Sequence, residues 1–142
     1  MYGTQRALSA YKMVGVETGV ASADPHKLIL MLFDGALIAV GDARRHLAEF
    51  RTAERGIAIS KCIMIIENGL KASLDRQSSG ELAGRLSDLY DYMRDRLLQA
   101  NLHVQDSSLS EVQQLLGELR EAWSQMQPPA NAHELRNMKG AA

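Results

Sequence analysis

The stretch "HKLILMLFDGALIAVG", His26 to Gly41, constrains this chain most: from Leu28 onward Asp34 is its one charged side chain. Asp34-Gly35 between two apolar runs is a hairpin signal only where the flanks alternate, and "LILMLF" and "ALIAV" do not. The run continues into "DARRHLAEF" at helical spacing, so the pattern predicts one long helix over 25–50. Asp24 can accept hydrogen bonds from the first-turn N–H groups, and Pro25 suits the first helical position, where no N–H partner is needed. At about 100° per residue, Ile29, Leu32, Phe33, Ala36, Val40, Ala43 and Leu47 form a core stripe. Leu30, Met31, Leu37 and Ile38 are left over, in directions that carry Arg44, Arg45, Glu49 and Arg51 in the second half of the helix. Asp34 lies away from the stripe among these apolar neighbours, which reads as a polar anchor for a partner or as a plain exposed acid.

Three further amphipathic segments follow. Ile59, Cys62, Ile63, Ile66, Leu70 and Leu74 share one face over 54–74. After the break "DRQSSGE", Ser78 and Glu81 have capping-box spacing, and Leu82, Leu86, Leu89, Met93, Leu97, Ala100 and Val104 mark a helix over 79–105. Ser108 and Glu111 repeat that spacing ahead of Leu109, Val112, Leu116, Leu119, Trp123 and Met126, a helix over 108–127 that Pro128-Pro129 ends. Met64 and Ile65 fall off the second stripe, and Leu98 and Leu102 off the third. Short connections between long helices imply antiparallel neighbours, so the expected fold is all-α: an up-down four-helix bundle in a single domain over 1–127. Residues 1–23 read as a short helical cap segment around Thr4 to Ala10 with an extended lead-in, and 128–142 as a flexible tail.

The remaining composition excludes more than it suggests. With 142 residues, 46% hydrophobic and 5% aromatic, the chain can bury a core of mostly unbranched helix formers. Its 16 basic and 17 acidic residues are interspersed, which gives no footprint for nucleic acid. No segment reaches the length of a membrane span, and the single cysteine, Cys62, permits no intrachain disulfide; both fit a cytoplasmic protein. His26, His46, His103 and His133 make no zinc or di-iron pattern and are expected to face solvent, while Cys62 is expected in the core. No nucleophile elbow or phosphate-cradling glycine loop is present, so neither an enzyme nor a cofactor is expected.

A bundle with surplus apolar surface and no catalytic constellation reads as a binding module for an amphipathic helix or a disordered chain. "LYDYMRDRLLQAN" (Leu89 to Asn101) and "DPHKLILMLFDGA" (Asp24 to Ala36), with "NGLKASLD", "GEL", "EAW" and the lead-in "AYKMVGVET", resemble the FliS family of flagellar secretion chaperones over nearly all of Tyr2 to Met126. Departures from the family pattern are Asp24 in place of serine, Ser79 in place of glycine and Arg85 in place of asparagine. The resemblance implies a cytosolic chaperone that binds the disordered C-terminal segment of flagellin, prevents premature polymerisation and delivers it to the flagellar export gate. An anti-sigma factor is left open as a further partner. The expected flagellin groove comprises Leu30, Met31, Asp34, Leu37, Ile38, Met64, Ile65, Leu98 and Leu102. Tyr2, Leu8, Tyr11, Val14 and Val16 are the expected cap over it in the free protein. The alternative is an adaptor bundle that uses the same surface to form a homodimer.

Overall fold

The computed structural model describes residues 24–74 and 80–126, and within them the chain is four helices with no strand. Helix α1 spans Pro25–Ala48, α2 spans Thr52–Met64 and continues as a π-helical stretch Ile65–Lys71, α3 spans Glu81–His103 and α4 spans Asp106–Gln125. The all-α bundle expected from the periodicity is what forms. Each helix packs on the next, and α4 returns to α1, so the core lies inside a closed ring of four antiparallel rods.

The start of α1 follows its sequence signals: the Asp24 carboxylate accepts the Lys27 N–H at 2.7 Å, and Pro25 opens the helix. Its buried side is Leu28, Leu32, Phe33, Gly35, Ala36, Ala39, Val40 and Ala43, close to the expected stripe. Two helices end on bulky residues in the left-handed conformation, Phe50 at φ 59° and Val104 at φ 53°. The Arg51 N–H bonds to the His46 carbonyl and the Gln105 N–H to the Ala100 carbonyl, the long closing bond of a Schellman end, whose left-handed position glycine usually fills. Helix α4 begins at Asp106, ahead of the expected Ser108. Ser108 is consequently inside the first turn, fully buried, with a hydroxyl that has no hydrogen-bond partner, while Glu111 bonds across to α3 instead of closing a capping box. Ser78, the other expected cap, lies outside the described residues.

The core is rotated from the expected stripes wherever small residues allow a neighbour to approach. On α2 and its continuation, Ala58, Ile59, Cys62, Ile65, Ile66, Gly69 and Leu70 are buried, whereas Ile63 is only half-buried. Ala58 and Gly69 share this side with Cys62, whose thiol reaches the Ala36 carbonyl at 3.5 Å, so α1 sits here. Gly35, Ala36, Ala39 and Ala43 from α1 complete a seam of small side chains that brings the two backbones together. On α3, Ala83, Tyr90 and Leu97 recur every seven residues with Ser87, Met93 and Ala100 beside them, a heptad-type seam. Leu82 is turned out at 58% exposure and Val104 at 54%.

The other three seams are laced by polar side chains. Between α1 and α4, Arg120 donates to Asp34 at 2.6 Å, and Arg44 holds Asp106 with two bonds and Gln113 with a third. Between α3 and α4, Glu111 accepts from Tyr92 and Arg96. Between α2 and α3, Lys71 pairs with Asp91 and Arg94 with Glu67. Arg55, only 6% exposed, donates there to the side chain and the carbonyl of Asn101. Exposed pairs of this kind are worth only tenths of a kcal/mol each, so they set which helix neighbours which more than they set stability.

Candidate functional site

Nothing in the described residues gathers as a catalytic centre. No group of three or more His, Cys, Asp or Glu side chains is placed to hold a metal ion, and no helix among these residues is long and apolar enough to cross a membrane. The one cysteine is fully buried, and burial pushes its thiol up to about 12, so it is no nucleophile at neutral pH. Burial likewise raises the Tyr90 phenol.

Apolar surface is what the molecule offers. Among the expected groove residues, Ile38 (62% exposed), Leu98 (53%) and Leu102 (77%) stand out in solvent. Leu30, Met31, Leu37 and Met64 are half-buried, and Met31, Leu37 and Met64 pack against the core. Ile65 does not belong to this surface: it is fully buried, because α1 packs on the Ala58, Cys62 and Gly69 side of α2 and covers it. Asp34 needs correction too. It is neither an anchor awaiting a partner nor a plain exposed acid, but the α1 half of an ion pair with Arg120 across the α1–α4 seam. The expected cap residues Tyr2, Leu8, Tyr11, Val14 and Val16 lie outside the described residues.

Helical phase divides the rest among three seams at about 100° per residue. Leu30 and Leu37 share a side with Arg44, which faces α4. Met31 and Ile38 lie roughly 120° further round α1 from Arg44, and Met64 precedes Glu67 by one turn of α2. Leu98 and Leu102 share the side of α3 whose Asp91 and Arg94 face α2. The sequence reading missed Ile57 (69% exposed) and Phe50 (89%). Ile57 is one α-helical heptad from Met64 and falls on the same outer flank, a signal the sequence carried.

A cavity of about 240 Å³ opens at the end of the bundle where α1 starts and α4 finishes. Its walls are almost entirely apolar and include Phe33, Leu70, Leu82, Tyr90, Leu119 and Trp123, one or more from each of the four rods. The half-exposure of Leu119 and Trp123, expected in the α4 stripe, comes from this opening. His26 is not simply solvent-facing. Its Nε2–H donates to the Trp123 carbonyl at 2.9 Å, the Trp123 Nε1–H donates to the His26 carbonyl at 3.0 Å, and the two rings stack with centroids 5.2 Å apart.

Comparison with known proteins points to one family of chaperones. A family model described as "Flagellar protein FliS" matches residues 7–130. The flagellar secretion chaperone FliS of Salmonella typhimurium (strain LT2) is 50% identical over 133 residues, 94% of this chain and 98% of the relative. FliS of Escherichia coli K12 is 44% identical, covering 87% of this chain and 88% of its own. The flagellar secretion chaperone FliSB of Pseudomonas aeruginosa PAO1 is 42% identical, over 83% of this chain and 93% of its own.

Proposed function

The chain belongs to the FliS family of flagellar secretion chaperones, and from that premise we propose that it is a cytoplasmic chaperone for flagellin. It binds flagellin's disordered C-terminal segment, keeps the subunit from polymerising, and hands it to the export apparatus. The observation that supports this reading is a group of large apolar side chains left exposed on three helices: Ile38, Ile57, Leu98 and Leu102. Because they flank different seams, one straight helix cannot cover them. The bound segment wraps around the bundle.

The magnitudes allow it. Burying four such side chains is worth roughly 1.5–3 kcal/mol each, against roughly 2–5 kcal/mol for ordering a disordered segment. The cost of association, roughly 4–15 kcal/mol, takes up most of that surplus, so these four side chains supply part of the affinity and further contacts along the bound segment supply the rest.

Copurification with full-length flagellin, and its loss when flagellin lacks its C-terminal segment, tests the assignment directly. Ile38→Asp and Leu102→Asp are expected to weaken binding at least tenfold with helicity and melting unchanged; wild-type affinity in both would remove this surface from the site. Sedimentation of the chain alone separates the adaptor reading, since a dimer that persists on dilution would assign the same surface to self-association.

A further inference from the structure

Lys61, half-buried on α2, stands inside the exposed apolar surface with its charge unmatched. It has no hydrogen bond or ion pair with any described residue, whereas every other described arginine and lysine except Lys27 holds a carboxylate or an amide. Its own helix supplies no acid within reach. The positions three and four residues away are Ile57, Ala58, Met64 and Ile65, and Glu54 lies two turns back, about 10 Å along the axis.

The neighbours of the ammonium are apolar instead. At about 100° per residue Lys61 falls within about 60° of both Ile57, one turn before it, and Met64, one turn after it. The Cys62 thiol, next along the chain, meets the Ala36 carbonyl at 3.5 Å, which puts Lys61 at the height of Ile38 on α1. Ile38 and Ile57 are both largely exposed. A segment that covers them passes over Lys61 and strips water from its charge. A charge that loses water without gaining a partner costs more than one apolar contact returns, so the segment has to bring an acceptor of opposite sign.

We propose that Lys61 is a specificity-determining residue: it pairs with a side-chain carboxylate of the bound client segment and fixes where along α2 that segment lies. The proposal rests on the reading that this surface binds flagellin's C-terminal segment. A chain-terminal carboxylate fits less well, because apolar side chains on both sides of Lys61 require a chain that continues past it. The surface selects an aspartate or glutamate flanked in sequence by apolar residues.

Lys61→Met keeps an apolar stem of similar length, removes the charge and is neutral for a helix, so helicity is expected to be unchanged. It is expected to raise the Kd for a peptide of flagellin's C-terminal segment about fivefold at low salt. At about 1 M salt, where charges are screened within about 3 Å, the two chains are expected to bind alike. Lys27→Met makes the same change at the exposed start of α1 and is expected to leave the Kd unchanged; an equal loss there would reduce the effect to general charge attraction and overturn the pair. Peptides with each Asp or Glu changed to its amide, and one with an amidated C-terminus, identify the partner. At one acidic side chain the peptide change and Lys61→Met are non-additive, and a peptide carrying lysine there regains affinity for Lys61→Glu. Wild-type affinity in Lys61→Met overturns the proposal, as do additive losses at every acidic position or non-additivity confined to the terminal carboxylate. A wild-type chain that fails to bind the peptide removes the client reading and this proposal with it, whereas wild-type binding with no response at Lys61 removes this proposal alone.

Discussion

The two ends of the bundle are closed by different physics. Where α1 starts and α4 finishes, an apolar cavity stays open and the closure is a His–Trp clasp between residues 97 apart in sequence. Where α1 turns into α2 and α3 into α4, the closures are local: tight helix ends at Phe50 and Val104, backed by Arg44 on Asp106 and Arg55 on Asn101. The first end has apolar side chains arranged around a space. The second has instead a recess of about 520 Å³ whose lining is partly charged, with Arg44, Arg45, Asp106 and Gln113 among its residues, and it carries bulky residues in a backbone conformation that costs them about 1–2 kcal/mol each. The two closures lie at opposite ends of a bundle roughly 36 Å long, taking α1 at about 1.5 Å per residue.

Substitutions at each end can sharpen or break this contrast. The largest effect is expected from Trp123→Ala, which removes the stacked ring, its donor and a cavity wall at once. A loss of about 2–3 kcal/mol in urea unfolding is expected, and a loss below about 0.5 would mean that the clasp does not hold that end shut. Next comes Asn101→Ala at the turn end, where the nearly buried Arg55 guanidinium loses its side-chain acceptor. About 1–2 kcal/mol is expected, measurable as a lower urea midpoint at unchanged m-value. Phe50→Gly and Val104→Gly work in the other direction. Each relieves a left-handed residue that buries little, and each is expected to stabilise the fold by about 0.5–1 kcal/mol; destabilisation by either would show that its side chain packs against something that matters.

The smallest effect is a response to acid. Hydrogen bonding from Arg44 holds the Asp106 carboxyl below its ordinary range, and Tyr92, then Arg96, do the same for Glu111. A carboxylate with a lower value in the folded state stabilises the fold above its unfolded value, and that contribution is lost as pH falls through the folded value. Amide protection factors, which divide out the slowing of intrinsic exchange in acid, should therefore fall between pH 5 and pH 3 around Asp106 and Glu111 before they fall around Trp123, whose indole donor does not titrate. An equal fall at both ends would erase the distinction.

The sequence exposed much of this fold and little of the site's detail. Asp24 and Pro25 marked the start of α1, and large apolar residues at spacings of three and four marked all four helices. The helix azimuths were less legible. A stripe drawn through large side chains put Leu82 inside and Ile65 outside, whereas Ala58, Gly69, Ala83 and Ser87 decide which side of a helix a neighbour can approach. Small residues look like gaps in a hydrophobic pattern, yet they are where backbones meet. Ile38, Leu98 and Leu102 were legible as surplus because a helix needs only one stripe.

By itself, then, the sequence determined that four amphipathic helices form, where the first begins, and that more apolar surface exists than one bundle core requires. Each of these follows from interactions within a few residues along the chain. Only the tertiary structure decided that Asp34 belongs to Arg120, that Ile65 is core, and that His26 closes on Trp123. Those pairings span 86 residues in one case and 97 in another, and they depend on which helices become neighbours. The run "HKLILMLFDGALIAVG" holds both kinds of information: its periodicity makes a helix, and its partners, found at the far end of the chain, determine what each face of that helix is for.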